Sequence, residues 1–148
     1  MQGKSLFYNI QLLAVKNLTS AAATGIVDIG GPLDAAPFEG LFAVVQLGTT
    51  STANGLRALH GTASASAGLT QVLNSYVEGK STANVLDIYR PKKRFVQFQC
   101  MREAATKLGS GFVFGYGPRV GPTTNDTAGL VSGRMLPSPE TGTASSTA

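Results

Sequence analysis

The densest chemistry in the sequence is a run of cations, Arg90-Pro91-Lys92-Lys93-Arg94. Four positive charges within five residues, stiffened by a proline, make a turn suited to an anionic partner. That partner is nucleic acid or an acidic surface on another protein. The plainer alternative is a solvated hairpin whose charges blunt a sheet edge. Seven of the twelve basic residues (Arg90, Lys92, Lys93, Arg94, Arg102, Lys107, Arg119) fall in one thirty-residue stretch whose only acid is Glu103. Arg119 and, further along, Arg134 join Arg90, Lys92, Lys93 and Arg94 as candidate partner-binding residues. Phe95 and Phe98 stand beside the run, but strand alternation turns Phe98 into the core. That leaves no aromatic platform on which bases could stack.

Catalytic chemistry finds little material. His60 is the single histidine, so no two-histidine metal site can be built. A Ser-His-Asp triad would have to draw on Asp28, Asp34, Asp87 or Asp126, and no serine sits in a G-x-S-x-G elbow. The eight acidic residues are scattered, without a near pair to serve as general acid and base. The glycines around Ser110 and Tyr116 flank or lie inside a strand. A phosphate-cradling loop would instead follow a strand, open a helix and carry Lys-Ser/Thr. Cys100 is the lone cysteine, in an apolar run, and reads as a small buried hydrophobe. The reading is a binding or structural protein, not an enzyme, with no cofactor and no metal.

The elements that must position the cations are strands. Short runs of period two recur between clusters of Gly, Pro, Ser, Thr and Asn. They cover residues 5–15, 24–29 (closed by Gly30-Gly31-Pro32), 40–47, 55–60, 85–89 (stopped by Pro91), 94–102 and 111–116. The run 40–47 is the most apolar and is expected to be central. In 94–102, Val96, Phe98 and Cys100 alternate with Gln97 and Gln99. In 111–116, Phe112, Phe114 and Tyr116 share one face, opposite Val113, Gly115 and Gly117. Glycines at such positions imply a close approach of other atoms or a sharp bend. Seven strands without long intervening helices predict an all-β fold, an antiparallel sandwich or jelly roll.

Two stretches break the pattern. Leu69, Val72, Leu73, Tyr76 and Val77 follow the spacing of an amphipathic helix, expected to cover one end of the sandwich. A helical turn is also expected at 101–107, with Glu103 and Lys107 at i, i+4. After about Gly121 the composition turns to Pro, Ser, Thr and Gly, with Leu130, Val131, Met135 and Leu136 as the bulky apolar residues. Such a stretch cannot form a core of its own. Residues 1–121 therefore read as the domain and 122–148 as an extended arm that lies across adjacent chains.

Composition agrees with a protein packed against neighbours. Only 14% of the 148 residues are charged, against roughly 25% in an average soluble domain. No apolar run approaches the roughly 18–20 residues needed to cross a bilayer. The stretch from Leu6 to Val15 follows Lys4 but is interrupted by Tyr8, Asn9 and Gln11. It reads as a strand and not as a signal peptide.

The order of motifs resembles a known group. The segment Gly55-Leu56-Arg57-Ala58-Leu59-His60-Gly61, a small-residue loop, and then Val85-Leu86-Asp87-Ile88-Tyr89-Arg90-Pro91-Lys92-Lys93-Arg94-Phe95-Val96 are similar to small virion proteins of tailed bacteriophages. The likeness spans roughly residues 38–120. Many such proteins act as head decoration, or cement, proteins. The resemblance implies a jelly-roll-like homotrimer, made in the bacterial host cytoplasm and seated on the outer capsid surface, with the major capsid protein as partner. Two alternatives stay open: a head-tail or tail-surface protein, and a nucleic-acid-binding β-barrel.

Overall fold

The computed structural model describes residues 9–49 and 51–119. Nine strands fill them: β1 (Ile10–Lys16), β2 (Val27–Asp34), β3 (Phe38–Leu47), β4 (Ser51–Gly61), β5 (Thr70–Gln71), β6 (Val77–Gly79), β7 (Ala83–Tyr89), β8 (Phe95–Arg102) and β9 (Leu108–Pro118). Pairing is nested: β1 with β9, β2 with β8, β3 with β7, and β4 with β5 and β6, all antiparallel. The chain is thus one long hairpin, doubled back between β4 and β6 and rolled up. Rolling brings β9 against β3 and β8 against β4. Two sheets result, in the orders β1-β9-β3-β7 and β2-β8-β4-β5. Counting β5 and β6 as one interrupted strand, this is the eight-strand order of a jelly roll.

Alternation decides what lies between the sheets. Leu41, Ala43, Val45 and Leu47 of β3 and Val113 of β9 face Ile29, Leu56, Val96, Phe98 and Cys100, and nearly all are fully buried. The run 40–47 is interior, between β9 and β7. Small residues on β9 face inward because Phe38 needs the space. A Cβ on Gly115 would stand 2.7 Å from the Phe38 ring. Burial pushes the Cys100 thiol up to about 11, so it stays protonated and unreactive at neutral pH.

The expected helix over Leu69, Val72, Leu73, Tyr76 and Val77 is absent. In its place stand a 3-10 turn at Ser66–Gly68, the two short strands β5 and β6, and a turn through Asn74 at φ +59°. The cause is the open edge of β4. Val72 N–H donates to Ala58 O, while the buried Ser75 hydroxyl accepts from Ala58 N–H and donates to Ala58 O. A helix would leave those β4 groups bare. Leu73 consequently points to solvent, 86% exposed.

The helical turn expected at 101–107 is also absent. Met101 and Arg102 finish β8, Ala104 N–H donates to Asn54 Oδ1, and Thr106 exchanges main-chain hydrogen bonds with Ala23. Nor do Gly30-Gly31-Pro32 close β2. They form a bulge between Ile29 and Leu33, after which pairing with β8 resumes. Gly30, at φ +77°, lets the bulge pass close to Ala14. The bulge also covers Gln97, whose Nε2 donates to Gly30 O at 3.5 Å. Residues 5–8, the arm 122–148 and Arg134 lie outside the described residues.

Candidate functional site

The cationic run is the crossing between the two sheets at one end of the sandwich. Tyr89 ends β7, Phe95 begins β8, and five residues span the gap. Pro91 stops β7, since it has no N–H for a ladder. Arg90 turns the chain at φ +49°, held by its N–H donating to Glu39 O at 2.7 Å. Its guanidinium lies over the Tyr89 ring, 5.1 Å from the centroid.

Arg119 arrives from a distant part of the sequence. Its N–H donates to Pro37 O, which sets it beside Pro91 after β9. It lines one cleft with Lys92 and Lys93 and another with Glu39 and Arg90. The fold therefore gathers five of the six candidate cations, Arg90, Lys92, Lys93, Arg94 and Arg119, at one corner.

They are not equivalent. Arg94 grips Asp34 through Nε and Nη2, the shortest contact being 2.8 Å, and lies over the Phe95 ring at 5.3 Å. The Arg94 hydrogen bonds, and then the Ala36 N–H, hold the Asp34 carboxyl below its ordinary range. Arg94 is thus consumed in fastening the turn to the end of β2. Among the described residues, Arg90, Lys92, Lys93 and Arg119 form no ion pair. Glu39 is the acid in their cleft, and it does not close on either arginine. His60, on β4, lies in a neighbouring cleft with Lys92. Burial, then Lys93 and Lys92, lower its pKa, so the imidazole is neutral at pH 7 and adds no charge.

A second surface was only half visible in the sequence. Phe112, Phe114 and Tyr116 share a face, as alternation predicts, and it is the outer face of the β1-β9-β3-β7 sheet. Phe42 stacks on Phe114 with centroids 5.0 Å apart, and Phe112 and Tyr116 stand 6.3 and 6.1 Å from its two members. Val44 and Val85 continue the apolar row across β3 and β7. Tyr116 donates to Asp87 Oδ1 at 2.8 Å, and burial together with this bond pushes its pKa up. The missing signal was register: only the pairing of β9 with β3 puts Phe42 against Phe114.

Among the described residues, no group of three His, Cys, Asp or Glu side chains could hold a metal. No protein-family model matches the chain, and no curated protein matches it.

Proposed function

We propose that this chain is a capsid decoration (cement) protein of a tailed bacteriophage, which binds the outer shell at capsomer junctions and stabilises the head. The observation that carries the reading is the corner of the jelly roll where Arg90, Lys92, Lys93 and Arg119 converge without ion pairs among the described residues. Cations with no acidic partner among the described residues favour an acidic surface on the major capsid protein, and Arg94 locks the turn that presents them. The resemblance of residues 38–120 to virion proteins supports the same role. So does the aromatic outer sheet face, which suits a chain that lives among neighbours.

The mechanism is mass action. Each bound copy contributes free energy to the closed shell and none to dissociated capsomers, so the intact capsid is favoured. A homotrimer at a three-fold position would engage several capsomers at once and gain avidity. The test is to mix the purified protein with undecorated expanded heads at physiological salt. Saturable binding is expected, weakened strongly by Lys92→Glu with Lys93→Glu, and much less by Arg94→Gln. Absence of binding by the intact protein counts against the reading. Its mass in solution separates the alternatives, since a six- or twelve-fold ring points to a head-tail part. Affinity for DNA or RNA that falls steeply with salt would point to the nucleic-acid reading.

A further inference from the structure

The β1-β9-β3-β7 sheet ends on β7, which pairs with β3 alone among the described residues. One bond fixes the direction of its main-chain groups. Arg90 N–H donates to Glu39 O in the same register as the β3–β7 ladder, and bonded pairs alternate along an antiparallel ladder. Ile88, Leu86 and Asn84 therefore bond to β3, while the N–H and C=O groups of Val85, Asp87 and Tyr89 point away from it. The strand carries no proline and no lysine, the usual means of closing an edge. Its rim is apolar as well. Val85 and Tyr89 are 52% and 57% exposed, and Leu73, more exposed still, shares a cleft with Ile88 and Tyr89 between the edges of the two sheets. The rim also carries charge of both signs. Asp87 accepts from the Tyr116 hydroxyl at Oδ1 on the outer face, and Arg90, over the Tyr89 ring, forms no ion pair among the described residues.

We propose that β7 pairs with β7 of a second copy of this chain, antiparallel about a two-fold axis at Ile88, with Arg90 of each copy against Asp87 of the other. Few registers are open, because residues whose main-chain groups point outward must meet one another across the axis. An axis at Asp87 sets the two carboxylates directly opposite each other, which repels. An axis at Leu86 sets Arg90 opposite Thr82, outside the strand, and leaves the charges unmatched. An axis at Tyr89 sets Asp87 opposite Pro91, which has no N–H to give. An axis at Ile88 sets Asp87 opposite Tyr89 on both sides of the axis, in two bonded pairs.

The side chains match on both faces in that register. Asp87 and Tyr89 lie on the outer face, and the Arg90 guanidinium already covers the Tyr89 ring, so it stands beside the incoming carboxylate. On the other face Ile88 meets Ile88 and the two clefts come together, each bringing its Leu73. Such a contact is isologous and closes after two copies, so the edge is capped without templating a fibre. The contact is small, and the pair is therefore reversible and dissociates in the micromolar range. Arg90 is then committed to the second copy, which leaves Lys92, Lys93 and Arg119 for an acidic shell. The pair needs no capsid to form, so this inference and the capsid reading can fail independently.

Sedimentation and hydrogen exchange of the full chain, from about 1 μM to about 1 mM, test the pair. The sedimenting mass is expected to double reversibly over this range. Exchange at the Asp87 and Tyr89 amides should slow as it does, while Leu86 and Ile88, bonded to β3, stay protected throughout. Asp87→Lys and Arg90→Glu should each weaken the doubling by about tenfold or more, because each sets like charges together. Protection of Leu86 and Ile88 in either variant reports that the sheet is still folded. Mixing the two variants in equal amounts should restore the doubling. The new lysine of one then meets the new glutamate of the other, while the remaining Arg90 and Asp87 meet as before. Absence of doubling in the unaltered chain overturns the proposal. So does doubling that either variant leaves intact, or that the mixture fails to restore. Protection of Asp87 and Tyr89 that is equal at every concentration also overturns it, since the edge would then be closed within one chain.

Discussion

The two sheets bury similar inner faces and present opposite outer ones. On the β2-β8-β4 sheet a group of outer side chains satisfy one another. Gln99 donates to Asp28 Oδ1 at 2.7 Å and accepts from Arg57 Nε and Nη2 at 3.0 and 2.8 Å, while Arg57 reaches Gln71 at 3.4 Å. On the β1-β9-β3-β7 sheet the same positions hold Phe42, Phe112, Phe114 and Tyr116, whose rings pack on one another while the Tyr116 hydroxyl donates to Asp87. Inward packing needs only one apolar face per strand, so the second apolar face is not required by the fold. The difference teaches that the polar face meets much of its need within itself, with Gln97 Oε1 left buried and without a partner among the described residues, whereas the aromatic sheet gains free energy from whatever covers it.

Stability measurements can break this comparison. Phe98→Ala, in the fully buried core, is expected to cost about 3–5 kcal/mol in urea unfolding. Phe114→Ala, on the outer face, should cost about a third of that in the isolated domain, in line with its partial burial. Equal losses would mean that the outer face is already covered in the free protein. Gly115→Ala comes next, at about 1–3 kcal/mol, because the new methyl meets the Phe38 ring. Gly31→Ala is the control, with nothing within 4 Å of the new Cβ, and should lie within about 0.5 kcal/mol of the parent. On the polar sheet, Gln99→Leu should cost about 1 kcal/mol, since Arg57 and Asp28 can still turn to water. A much larger loss there would show that the polar lattice, and not the shared core, holds β8 in place.

The smallest effects concern pH at the cationic corner. The folded pKa of Asp34 lies below its unfolded value, so its contribution is present above about pH 4 and fades as the pH falls below that. His60 is also depressed when folded. Its contribution is present above about pH 6.5 and is lost as the pH falls toward the folded value. Midpoints of unfolding should therefore drop slightly between pH 7 and 5, and again below pH 4. His60→Gln should flatten the first step and Asp34→Asn the second. A first step unchanged in His60→Gln would assign it to another group.

Much of the fold was legible because period-two alternation is a local signal. Val96, Phe98 and Cys100 declared their burial, and residues 40–47 declared an interior strand. The residues 69–77 misled because two short strand pieces joined by a turn can place apolar residues at helical intervals. What decided the matter was the unmet hydrogen-bonding need of Ala58, on a strand eleven residues or more away in sequence. The cationic run was legible as charge, but not its division of labour. Arg94 is neutralised by Asp34, sixty residues earlier, and Arg119 joins the corner only through the register of β9. Long-range pairing of this kind leaves no mark in a window of neighbouring residues.

The nested pairing also sets a schedule for the growing chain. The contacts of shortest span join β4 to β5 and β6, whereas Ile10 meets Tyr116, more than a hundred residues later. A chain emerging from the ribosome can close the inner loops of the roll early, but β1 waits for β9, and until then Phe42 and Val44 have no Phe114 or Phe112 to rest on. The sheet built to be covered is thus the one left bare longest during synthesis. Rapid synthesis at high copy number would then draw on chaperones, and substitutions in β9 should reduce soluble yield more than equal losses of stability in β4.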